Sequence, residues 1–114
     1  MTAKIVTFDG QMLKGGHKGL VKGKGKPTTV HITGSGFIRG KPVWIDDPPP
    51  PAAPILHWEG TVPANASDTD FTTEVRQKKD TKSPGGDRDD PAMVSVTVDD
   101  SAAKTLNTYV GDAP

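Results

Sequence analysis

Three kinds of side chain in this sequence are spaced closely enough to suggest chemistry. The first is a run of ammonium groups, Lys22-Gly23-Lys24-Gly25-Lys26, preceded by Lys14 and Lys18. Lysines interleaved with glycine offer positive charge and accessible backbone N–H groups, which is what a phosphate oxygen needs. The run lacks the Gly-x-x-x-x-Gly-Lys-Ser/Thr spacing of a nucleotide loop, and no strand signal precedes it. Nucleic-acid binding usually adds stacking aromatics, and residues 9–36 contain no Phe, Tyr or Trp. Nucleic acid is therefore not the expected partner.

The second kind is carboxylate: Asp46-Asp47, Asp87 with Asp89 and Asp90, and Asp99-Asp100. A calcium ion wants roughly six to eight oxygens, and none of these groups has the EF-hand spacing. Aspartates in such places are ordinary turn formers. The third kind is histidine, but His17, His31 and His57 are scattered without metal-ligand spacing, and the last two fall on outward strand positions. There is no cysteine, hence no thiolate nucleophile, disulfide or thiolate metal site. No Gly-x-Ser-x-Gly is present, no histidine stands beside a nucleophile, and the carboxylates fall in loops. No catalytic residue, metal or cofactor is expected, and the chain reads as non-enzymatic. Asn65-Ala66-Ser67 fits a glycosylation acceptor but is discounted, because residues 1–8 have no apolar signal-peptide core.

The elements that must position these groups are strands. Val30 and Ile32 alternate with His31 and Thr33, Gly34-Ser35-Gly36 breaks the run, and Val43 and Ile45 resume it with Trp44 on the opposite face. Residues 4–8 form a candidate short strand, and further strands are expected over 55–62, 70–76, 93–98 and 104–110. The proline-rich stretch 46–54 reads as a stiff polyproline II loop, and 77–91 as a long exposed loop. The inward set is Val30, Ile32, Phe37, Val43, Ile45, Leu56, Trp58, Val62, Phe71, Val75, Val94, Val96, Val98, Leu106 and Val110. Trp58 belongs to that core. Trp44, out of phase with its neighbours, is a candidate for stacking on a sugar ring or anchoring a protein contact. Packing under the proline loop is its simpler alternative.

At 114 residues, 32% hydrophobic, with 13 Gly and 11 Pro, the chain suits one small domain of short strands and many turns. No run approaches the roughly 18 apolar residues of a membrane span. Net charge is zero but segregated: residues 1–27 carry six lysines against Asp9, and the remainder carries the compensating excess of acid. Residues 1–27 therefore read as a basic Gly/Lys-rich N-terminal arm on a domain spanning 28–114. Lys14, Lys18, Lys22, Lys24 and Lys26, with the apolar pairs Met12-Leu13 and Leu20-Val21, are its candidate partner-binding residues, ordering on a groove with an acidic surface.

The segment Val30-His31-Ile32-Thr33-Gly34-Ser35-Gly36-Phe37, followed by Gly40 and Val43, resembles the opening of bacterial immunoglobulin-like modules of the IPT/TIG and related types. Gly60 to Ser67 leading into Asp70-Phe71-Thr72 is similar to their mid-module hairpin, and Met93 to Val98 to their penultimate strand. The resemblance covers residues 28–111. It implies an all-β, immunoglobulin-like β-sandwich of about seven antiparallel strands, with no catalytic residue to carry over. Such modules occur on bacterial surface proteins and on bacteriophage virions. A cysteine-free copy with a basic N-terminal arm and no signal sequence is similar to the phage case. By that analogy the expected role is a capsid decoration or cementing protein, made in the host cytoplasm and held on the virion surface. Its partner would be the major capsid protein or another virion protein, with homo-oligomer contacts on the lattice. The alternative is a carbohydrate- or cell-surface-binding module with Trp44, Trp58 and the 46–58 loop as its contact surface.

Overall fold

Alternating apolar positions and closely spaced Gly/Pro turns give nine strands among the described residues. A computed structural model describes residues 2–80 and 91–114. The strands are β1 (Lys4–Asp9), β2 (Gln11–Met12), β3 (Lys18–Val21), β4 (Pro27–Ser35), β5 (Pro42–Asp47), β6 (Leu56–Thr61), β7 (Asp70–Asp80), β8 (Ala92–Val98) and β9 (Lys104–Gly111). There is no helix among the described residues.

All nine join one sheet in the order β1-β4-β7-β6-β5-β8-β9-β3-β2. Each neighbouring pair is antiparallel except β3 with β9, which is parallel. The sheet rolls into a near-barrel, and contacts between strands far apart in its order show the closure. Ala3 N–H donates to Asp100 Oδ1 at 3.0 Å, and Thr29 N–H donates to Gln11 Oε1 at 2.7 Å. The separate layers expected from the sequence are here continuous. β6 pairs along its length with β5, from Pro42↔Thr61 to Asp47↔Leu56, and with β7 on its other side.

The N-terminal segment departs most from expectation. Residues 1–27, read as an arm, supply β1, β2 and β3, which form both edges of the sheet. Lys4 pairs with Ser35 and Asp9 with His31 on one edge, while Gly19 to Val21 pair with Tyr109 to Gly111 on the other side of the roll. Gly19 is required there, because a Cβ would run into the Tyr109 carbonyl. The radius of gyration, 13.2 Å, is about that of a single compact chain of this length.

The core sits inside the roll. Every member of the expected inward set is buried in one cluster except Leu106, which packs half-buried against it. Ala3, Ile5 and Leu20 join from the N-terminal segment, with Ala66 and Ala92. Phe37 meets Phe71 edge to face, with ring centroids 4.9 Å apart. β7 also runs past Arg76, where the loop 77–91 was expected to begin, and Gln77 is fully buried. The proline stretch is the connection of the β5–β6 hairpin, closed by Ile55 N–H donating to the Asp47 carbonyl at 2.8 Å. Its Asp47–Pro48 and Pro50–Pro51 bonds are cis.

Candidate docking surface

The lysines singled out by the sequence fall on the β2–β3 hairpin and the turn that follows it. Lys14, Lys18, Lys24 and Lys26 are exposed, and Lys22 is half-buried. Their backbone is fixed by the body of the protein. Lys14 N–H donates to the Asp112 carbonyl at 3.0 Å and Lys22 N–H to the Gly111 carbonyl at 2.7 Å. The buried Gln77 holds the turn through its side chain and its main chain. Gly23 N–H donates to its Oε1 at 2.6 Å, Gly25 N–H to its carbonyl at 2.7 Å, and Gln77 N–H to the Lys26 carbonyl at 3.2 Å. Arg76 Nη1 donates to the Gly25 carbonyl at 3.0 Å. Gly23 takes φ 130° and Gly25 φ 81°, conformations that suit glycine and let the turn reverse tightly.

These bonds decide what the turn can do. With Lys26 N–H donating to the Gly23 carbonyl at 3.0 Å, the N–H groups of Lys22, Gly23, Gly25 and Lys26 are all used internally. A phosphate cradle needs several amides converging on an anion, and this turn does not offer one. It offers ammonium groups on a fixed backbone, which suits a spread of surface carboxylates.

The apolar half of the expected contact set lies elsewhere. Leu13, Leu20 and Val21 are 4%, 0% and 1% exposed, so they fill the protein's own interior and cannot also line a partner's groove. Val21 is held at both backbone groups, its N–H by Thr28 Oγ1 at 2.7 Å and its carbonyl by Trp58 Nε1 at 3.0 Å. Met12, 48% exposed, remains at the surface beside the lysines.

Trp44 stands on the outer face of the sheet, half-buried, between Glu59 of β6 and Thr97 of β8 in register. Beside it runs a polar strip that the sequence did not reveal. His57 Nδ1 lies 2.6 Å from Asp46 Oδ1, and its Nε2 lies 3.4 Å from Glu59 Oε2. The other two histidines are also engaged: His31 with Asp70 at 2.7 Å, and His17 stacked on Tyr109 with centroids 4.1 Å apart. Register alone would have paired Asp46 with His57, but the eight residues separating β5 from β6 obscure that register in the sequence.

Among the described residues, the carboxylates considered for calcium do not converge. Strand alternation sends Asp46 outward to His57 and Asp47 inward, where it is 5% exposed. Asp100 accepts the Ala3 N–H, and Asp87, Asp89 and Asp90 lie outside the described residues. Among the described residues, no group of three or more His, Asp or Glu side chains is placed to hold a metal ion. Comparison with protein-family models, with curated proteins and with solved structures finds no match to this chain.

Proposed function

We propose that the protein is a non-enzymatic docking module, a bacteriophage capsid decoration or cementing protein that binds an acidic face of a capsid protein through its lysine-bearing hairpin and turn. The observation that carries this reading is the rigid presentation of Lys14, Lys18, Lys24 and Lys26. All four are exposed, and the hairpin and turn that carry them are tied to Gln77, Gly111 and Asp112 through the backbone of Lys14, Lys22, Gly23, Gly25 and Lys26. Fixed cations pay less ordering entropy on binding than a free arm does. The remaining surface carries the excess of acid and projects away from the lattice. Each contact is weak and salt-sensitive, and many copies on one particle retain one another through multivalency.

An immunoglobulin-like architecture is part of the proposal. β1-β4-β7-β6 follow the order of one layer of such a sandwich and β5-β8-β9 the order of the other. The β5–β6 pairing would then be the join between layers. Copies side by side on the lattice are expected to touch.

The test is co-sedimentation with virions assembled without the protein, at rising salt, with wild type and a variant in which Lys14, Lys18, Lys24 and Lys26 are glutamate. A second reading rests on Trp44 beside the Asp46–His57–Glu59 strip: a half-exposed indole flanked by carboxylates suits stacking on a sugar of a host-surface glycan. Binding to a glycan array that Trp44→Ala abolishes would favour it.

A further inference from the structure

The rolled sheet does not close along its whole seam. β1 ends the sheet on one side: it pairs with β4, and no described strand pairs with its other edge. β9 pairs with β8 on one edge, while on the other β3 reaches only Tyr109, Val110 and Gly111. Among the described residues, Lys104 to Thr108 therefore present a second ladder edge. The two edges approach where Ala3 N–H donates to Asp100 Oδ1 at 3.0 Å. Beside that bond lies an open groove of about 530 Å³, walled by Thr2, Ala3, Lys4 and Ile5 on one side and by Ala102, Ala103 and Lys104 on the other. Ala3 and Ile5 are buried, Lys4 is exposed and Lys104 is half-buried.

We propose that this seam is a docking site for an extended segment of a partner protein, one that alternates small apolar side chains with carboxylates. An uncovered ladder edge carries N–H and C=O groups that another chain satisfies by adding a strand. Successive side chains of that strand point to opposite faces, so every second one enters the alanine- and isoleucine-lined groove. The alternate side chains meet Lys4 and Lys104, one on each wall, while the Asp100 carboxylate beside the groove is engaged by the Ala3 N–H. Charge complementarity of this kind selects an acidic segment over a basic one. The volume lies within the roughly 300–1,000 Å³ range of sites that enclose a small ligand, enough for a few residues of strand. The lysines of the β2–β3 hairpin take no part in the lining, so the site stands independently of the docking surface proposed above.

The experiment is a titration of isotope-labelled full-length protein with a blocked heptapeptide alternating glutamate and valine, followed by amide chemical shifts. Saturable shifts centred on Thr2–Ile5 and Ala102–Lys104, and extending along the free edges of β1 and Lys104–Thr108, are expected. The double variant Lys4→Glu, Lys104→Glu weakens binding about tenfold or more, with amide dispersion elsewhere unchanged. A peptide with lysine in place of glutamate binds at least about tenfold more weakly, and one N-methylated at alternate residues loses binding. Shifts centred elsewhere, equal binding of the lysine peptide or equal binding of the N-methylated peptide would overturn the proposal. So would a dimer in sedimentation equilibrium that Ala103→Glu dissociates, because a second copy would then be the occupant of the seam.

Discussion

The indole N–H of Trp58, on β6, donates to the backbone carbonyl of Val21 at the end of β3, 3.0 Å away and 37 positions earlier in the chain. The N–H of the same Val21 donates to the Thr28 hydroxyl at 2.7 Å. Both bonds are buried. They tie the N-terminal segment to the core and fix the start of the lysine turn, so the charged groups that follow are carried by the fold.

Removing either donor or acceptor leaves a buried backbone group of Val21 without its partner. Trp58→Phe and Thr28→Val are each expected to cost about 1–3 kcal/mol, with an added cavity cost for the smaller ring. The double variant is expected to fall short of the sum by about 0.5 kcal/mol or more, since both bonds hold one residue. Urea unfolding of the four proteins measures this. Strict additivity would show that the two bonds act independently.

Gly19 tests the parallel pairing of β3 with β9. A Cβ there meets the Tyr109 carbonyl, and neither backbone can withdraw without breaking the ladder. Gly19→Ala is expected to cost more than about 2 kcal/mol, in the range of overpacked core sites. Amide exchange should rise first at Leu20, Val21 and Val110. An unchanged unfolding midpoint would mean that β3 is not closely paired.

A protein beginning at Lys26 lacks β1, β2 and β3, and with them Ile5, Leu20 and Val21. Loss of the Leu20 side chain alone is expected to cost about 2–5 kcal/mol, against a total stability of about 5–15 kcal/mol for an ordinary domain. The truncated chain is expected to lose cooperative unfolding and amide dispersion. Retention of both would show that residues 28–114 fold alone and that the first strands are accessory.

The body of the fold was legible because its strands announce themselves. Val94, Val96 and Val98 alternate with smaller or polar neighbours, and Val30 and Ile32 do the same, so their inward phase follows from period two. The N-terminal strands were not legible for an equally physical reason. Leu20 and Val21 are consecutive and both buried, which breaks the alternation, and they sit among glycines and lysines that read as linker. What orders them comes from far along the chain: Trp58, Gln77 and Tyr109. Gln77 was hidden in the same way, a polar residue at the start of a charged stretch that becomes a fully buried clamp. The lysines were found from sequence as a charge cluster, but their rigid presentation depends on those distant bonds. The pairing of His57 with Asp46 required the hairpin register.

Deleting the N-terminal segment is a poor test of docking, because it removes three strands along with the charge. Charge reversal on exposed side chains separates the two. The most direct test of the proposed virion docking is therefore co-sedimentation of the Lys14→Glu, Lys18→Glu, Lys24→Glu, Lys26→Glu variant with virions assembled without the protein, beside wild type and Trp44→Ala. The variant should unfold cooperatively like wild type, yet lose binding by about tenfold or more at low salt. Wild-type and Trp44→Ala binding should be retained and fall together as salt rises. A folded quadruple variant that binds as well as wild type would contradict the account.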